Sequence, residues 1–149
     1  MPDQSGYTEN IMAEYRVHLL ESILQQLHAS VGGLHGTVVV STEGFVMAAY
    51  AGDGRSRLEN PVDSPQIAAM AASIIALGER VLDRLTRGEI DRILLDGTMG
   101  GIVVVPAGRE AALAAMVSKE AKLGLVMHEV RRAANDVEQV LLGVPQEVM

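Results

Sequence analysis

The run Ile90–Val117, IDRILLDGTMGGIVVVPAGREAALAAMV, decides the fold. Ile90 to Asp96, Ile102 to Val105 and Ala111 to Val117 are apolar stretches too short for helices, and turn chemistry fills the gaps, Gly97 to Gly100 and then Pro106-Ala107-Gly108. Gaps this short join antiparallel neighbours, because a parallel crossover needs a dozen or more residues. Three strands therefore follow one another as a meander. Upstream, Thr37 to Thr42 and Phe45 to Ala51 flank Glu43-Gly44 and predict one more hairpin.

Helical periodicity brackets these strands. From Thr8, the expected N-cap, Met12, Tyr15, Leu19, Ile23 and Leu27 recur as a stripe that Leu20, Leu24 and Val31 widen, ending at Gly32-Gly33. Glu14, His18, Glu21, Gln25 and His28 line the other side. After the loop Gly52–Ser64, the residues Asp63, Ser64 and Pro65 mark a second helix. Its expected core stripe is Ile67, Ile74, Val81 and Leu85 with Met70, Ala71 and Leu77. Ala68, Ala72 and Ala76, with Ala69 and Ser73, form a nearly bare strip that another backbone can approach, and Asp83 and Arg87 stand four apart on the wet side. Leu123, Val126, Val130, Ala134, Val137 and Leu141 mark a third helix. The expected fold is α/β, an α+β sandwich of order α-β-β-α-β-β-β-α with one five-stranded, mainly antiparallel sheet. It occupies 8–143, with tails at 1–7 and 144–149.

Composition bounds the function. A chain of 149 residues suits one core, and the lack of cysteine excludes disulfide scaffolds and cysteine-zinc modules. Twelve basic against 19 acidic residues give a net charge of -7, which repels nucleic-acid phosphates and anionic membranes. Aromatics, at 3%, are too few for stacking platforms. A mean hydropathy of +0.21 predicts apolar surface shared between subunits. The uncharged stretch of the second helix, Ser64 to Gly78, is shorter than the roughly 20 apolar residues of a bilayer span, and the start lacks a basic, then apolar, signal pattern. A cytoplasmic location without membrane insertion is expected.

Chemical motifs are sparse. The chain has no phosphate-binding G-x-x-x-x-G-K-[ST], no strand-linked G-x-G-x-x-G, no G-x-S-x-G elbow and no H-E-x-x-H. His28 and His35 lack a ligand spacing, and His18 and His128 sit among polar helix neighbours, so surface or hydrogen-bonded roles are expected. Asp53, Asp91 and Asp96 fall at turns and strand ends, where Asp makes local hydrogen bonds. Arg55 and Arg57 lie in the longest loop; an arginine there can reach a partner's phosphates, although two solvated charges are the plainer reading. No catalytic residue, metal or cofactor is expected. The bare strip of the second helix is assigned to a subunit contact.

Three stretches carry a likeness to a known family: KLGLVMHEVRRAA at Lys122–Ala134, GGIVVVPAGREAALAAMV at Gly100–Val117 and STEGFVMA at Ser41–Ala48. Over about Thr8 to Gly143 the sequence resembles the roadblock and dynein light chain family, and within it the bacterial MglB-type branch that regulates small Ras-like GTPases. Lys122 departs from the pattern, standing where a small polar residue is expected. The resemblance implies a homodimer joined edge to edge through the sheets and packed through the second helices, with Ala68, Ala69, Ala72, Ser73 and Ala76 at the contact. It implies a non-enzymatic scaffold that binds a small GTPase and adjusts its nucleotide cycle. Docking then falls to Gln66, Ser73, Arg80 and Arg84, with Arg55 and Arg57 from the preceding loop. Ala72→Glu is expected to part the two copies. The alternatives are an adaptor linking a sensor kinase to a GTPase module, or a small-ligand sensor, whose void the aliphatic core disfavours.

Overall fold

The computed structural model describes residues 5–51 and 64–143, with side chains from residue 10 onward. Its elements run α1 (Ser5–Ser30), β1 (Leu34–Ser41), β2 (Val46–Ala51), α2 (Ser64–Arg84), β3 (Ile93–Gly97), β4 (Gly100–Ala107), β5 (Ala111–Ser118) and α3 (Leu123–Leu141). The order is the expected one. The strands form a single sheet, β2-β1-β5-β4-β3, and every neighbouring pair is antiparallel.

Period-two alternation splits the strands' side chains between two cores. Val39, Val103, Val105, Leu113, Ala115 and Val117 face α1 and α3. Val38, Val40, Val104, Ala112 and Ala114 face α2. Both faces of the central strands are covered, so β5 reads as a nearly continuous apolar run and its alanines let the helices sit close.

On the first face α3 buries Val126, Val130, Ala133, Ala134, Val137 and Val140 along one stripe. α1 contributes Leu20, Leu24, Leu27 and Val31. Met12 and Tyr15, expected in that stripe, are exposed. The reason is length: 26 residues of helix reach about 39 Å, whereas strands of eight residues span about 26 Å, so the early turns of α1 overshoot the sheet. The helix also starts at Ser5, which places Thr8 inside it rather than at its cap, and 5–7 within the helix rather than in a tail. Residues 1–4 and the tail expected at 144–149 lie outside the described residues. Gly33 ends the first connection with φ +89°, and a Cβ there would fall 2.6 Å from the Ala121 Cβ, so only glycine fits.

Candidate functional site

Among the described residues α2 alone covers the second face, and it packs through a side lying between its two expected stripes, taking Ala71 from the expected core stripe and Ala68 from the bare strip. Pro65 stands in the first turn, where its missing N–H costs nothing. Ala68 and Ala71 are buried on Val38, Val40, Ala49 and Val104, with Ile67 and Ile75 packed at the margins. The larger residues expected in the core are instead in water: Met70 is 48% exposed, Leu77 54%, Val81 48% and Leu85 61%.

The backbone that approaches the alanines belongs to the same subunit. Gly44, at φ +93° in the β1–β2 turn, comes so close that an added Cβ would stand 3.4 Å from the Ala69 Cα and 3.7 Å from the Ala72 Cβ. Ala68, at 0% exposure against the sheet, is unavailable to a second copy, which corrects its place in the expected dimer contact. Ala72 is half-buried under the same turn, while Ala69, Ser73 and Ala76 remain exposed.

Three strips run along the rest of the helix. Gln66, Ser73, Arg80 and Arg84, spaced seven, seven and four, line one exposed crest, so these four docking candidates are brought together. The Ser73 hydroxyl donates to the Ala69 carbonyl oxygen at 3.0 Å, within the helix itself. Met70, Leu77, Val81 and Leu85, with half-buried Ile74, make an apolar flank on one side of that crest. On the other side, Ala72, Ala76, Glu79 and Asp83 wall a groove of about 920 Å³ above the ends of β1, β4 and β5. That void lies outside the close-packed core, so the aliphatic interior does not preclude it. Arg55 and Arg57 fall outside the described residues, as does Asp53.

The apolar flank has a neighbour on the sheet. Among the described residues β3 pairs only with β4, which leaves its outer edge without a strand partner, and it carries exposed Leu94 and Leu95 before Met99 in the turn. Gly78 seats α2 over this strand, since its Cβ would stand 3.0 Å from the Ile90 Cδ1 and 3.6 Å from the Ile93 Cδ1. The helix ends at Arg84 and the chain turns at Thr86, φ 54°, so Asp83 and Arg87 do not share a helical face as expected.

The titratable groups singled out in the sequence stand apart. Asp91 takes Arg131 of α3 at 2.8 Å and Arg92 at 3.4 Å, and the Arg131 hydrogen bond, opposed slightly by desolvation, holds its carboxyl below the usual range. Asp96 meets Lys119 at 3.3 Å, and the same ammonium donates to the Gly97 carbonyl at 3.2 Å. His28 is half-buried between α1 and the sheet, its Nε2 3.1 Å from the Thr37 Oγ1 and its ring 4.8 Å from that of Tyr50. Burial lowers its pKa to about 4. Among the described residues no three His, Cys, Asp or Glu gather as a metal cluster. The groove acids Glu79 and Glu89 were missed; Glu79 with Asp83 at a spacing of four was the available signal, and Glu89 had none.

An open five-stranded antiparallel sheet with a two-helix layer behind and a lone helix in front, apolar on one exposed flank, is the class of fold that the described residues define. The chain belongs to the Roadblock/LC7 domain family, whose model matches residues 20–117. Its sequence is similar to the uncharacterized protein MJ0310 of Methanocaldococcus jannaschii, 27% identical over 120 residues, covering 80% of this chain and 97% of that one. Its fold is similar to the gliding protein MglB of Thermus thermophilus, with a TM-score of 0.75 at 19% identity over 87% of this chain and 93% of that one. A Roadblock/LC7 domain of Streptomyces avermitilis gives a TM-score of 0.73 at 20% identity over 82% and 97%. α2 is long and apolar enough by composition to cross a membrane, yet Ala68 and Ala71 seat it on the sheet.

Proposed function

We propose that the protein is a homodimeric, non-catalytic scaffold that binds a small Ras-like GTPase and adjusts its nucleotide cycle from the cytoplasm. The observation that carries this reading is the apolar flank Met70–Leu77–Val81–Leu85 next to the open edge of β3. A free strand edge beside exposed leucines invites association, and a two-fold pairing covers both at once. The contact thus falls on the flank opposite the alanine strip. Pairing the flanks turns both crests outward, and Gln66, Ser73, Arg80 and Arg84 of two copies then form one composite docking surface. Holding one conformation of a partner's switch segment shifts its population and needs no catalytic group in the scaffold.

Light scattering of the Leu77→Glu, Val81→Glu double variant tests the pairing: a monomer with an unchanged circular dichroism spectrum is expected, and a persistent dimer overturns it. GTP turnover by a Ras-like GTPase of the same genome, with and without the protein, tests the docking. A rate altered by the wild type and left unaltered by Arg80→Glu, Arg84→Glu supports the crest; no change with any such GTPase overturns the reading.

A further inference from the structure

The groove on the far side of α2 from the apolar flank is left open by that pairing, and its lining points to a different ligand. Val40, Ile75, Pro106 and Ala112 give it an aliphatic floor. Glu79 and Asp83 of α2 and Glu89 of the following loop set three exposed carboxylates along it, against two exposed guanidinium groups, Arg80 at the margin of the α2 crest and Arg109 at the β4–β5 turn. None of the three carboxylates has an ion-pair or hydrogen-bond partner among the described residues.

We propose that this groove receives a short extended segment of a partner protein, aliphatic on both sides of one basic residue whose cation lies beside the Glu79 and Asp83 carboxylates, with Glu89 adding to the negative surplus. Length supports a peptide: α2 from Ala72 to Asp83 runs about 16 Å, the reach of about five extended residues. Shape supports it too. A small-molecule site encloses most of its ligand and fixes it with a few buried polar groups, whereas the charged groups of this trough are all exposed. With three carboxylates against two arginines the trough keeps a surplus of negative charge, and an exposed surplus selects an oppositely charged visitor and speeds its arrival more than it holds it. The apolar floor must supply the holding, so binding is expected in the micromolar range. The inference does not rest on the GTPase reading, since a partner of any fold can offer such a segment.

Fluorescence anisotropy on the full chain tests it with labelled acetyl-Val-Leu-Arg-Leu-Val-amide and its Gln-centred and Glu-centred analogues. The Arg-centred peptide is expected to bind about tenfold more tightly than the Glu-centred one, with a preference that shrinks in high salt. Glu79→Lys, Asp83→Lys should reverse the preference, and Ala76→Trp, which fills the trough without altering charge, should abolish binding of all three peptides. Equal binding of the three peptides, no binding of any, or binding that survives Ala76→Trp overturns the proposal. The Leu77→Glu, Val81→Glu variant separates the two readings: it should lose self-association and keep peptide affinity within about twofold, as expected for non-touching sites. Loss of peptide binding there would make the groove part of the self-contact and overturn the proposal as well.

Discussion

On one face of the sheet α1 and α3 cover each other as well as the strands, so the valines of α3 turn inward at every turn of helix. On the other face α2 lies alone and meets the sheet through Ala68 and Ala71, leaving Met70, Leu77, Val81 and Leu85 in water. Similar apolar content thus serves two ends. Where a second helix closes the layer, large side chains belong to the core; where none does, small side chains bring the helix down and large ones become a binding surface. The surplus apolar flank is what a single-layer face leaves behind, and its position is set by the contact the alanines make.

Truncations should separate the two faces. Leu24→Ala, in the closed layer at 0% exposure, is expected to cost about 2–5 kcal/mol, because it empties a close-packed site. Leu77→Ala should move the stability of the dilute protein by no more than about 0.5 kcal/mol, since it removes surface rather than core. Urea titrations of both check the contrast, and a Leu77→Ala loss as large as that of Leu24→Ala breaks it. Ala72→Glu ranks next. The alanine lies half-buried under the Gly44 turn, so the longer acid is expected to cost about 1–3 kcal/mol in overpacking, a loss of fold stability rather than a clean loss of pairing. If Ala72→Glu keeps its urea midpoint while becoming monomeric, the strip rather than the flank is the contact.

Physical context explains why only Ile67 and Ala71 of the expected α2 core stripe meet the sheet, whereas the α3 stripe turns inward from Val126 onward and leaves only its first member, Leu123, 38% exposed. α3 has one apolar stripe and nothing competes with it, so Val126, Val130, Ala134 and Val137 could be placed from spacing alone. α2 has two, one of alanines and one of larger residues, and hydrophobicity favours the larger. What decides between them is the close approach of Gly44 and of the valine-and-alanine sheet, and neither is visible along the helix. The β3–β4–β5 meander followed from turn lengths, since Gly97 to Gly100 and Pro106 to Gly108 allow only antiparallel neighbours, whereas the pairing of β1 with β5 joins distant parts of the chain and has no local signal. The crest was legible because Gln66, Ser73, Arg80 and Arg84 repeat at helical spacing. The groove was not, because β1, β4 and β5 supply its floor from distant parts of the chain.

A smaller effect sits between the layers. His28 ionises near the ordinary 6.5 in the unfolded chain, whereas burial holds it to about 4 in the fold. Between those values the unfolded state binds more protons, so the stability that neutral His28 allows is present above 6.5 and is lost as pH falls toward 4. Because the ring is only half-buried, water screens part of the penalty, and the loss is expected to be about 1 kcal/mol. Thermal unfolding at pH 7 and pH 4.5 should show it. In His28→Gln, which keeps a polar group near the Thr37 hydroxyl without titrating, the decline should be shallower; an identical decline removes His28 as its source.

An effect of similar size and opposite sign lies at the start of α3, where the closed layer has an uncapped helix end. Lys122 occupies the N-cap in an extended conformation, φ -80° and ψ 97°, and its side chain makes no capping hydrogen bond. Its carbonyl already accepts from the Val126 amide at 3.0 Å, so the backbone has the geometry of a capped helix and lacks only an acceptor side chain. An ammonium here also opposes the positive end of the helix dipole. Lys122→Asn supplies a short oxygen to a first-turn N–H and removes that charge, and is expected to raise stability by about 1 kcal/mol. The raised urea midpoint should come without any change in self-association, because the open face lies across the sheet. A gain that appears only alongside tighter pairing would mean that the two faces are coupled through the strands between them.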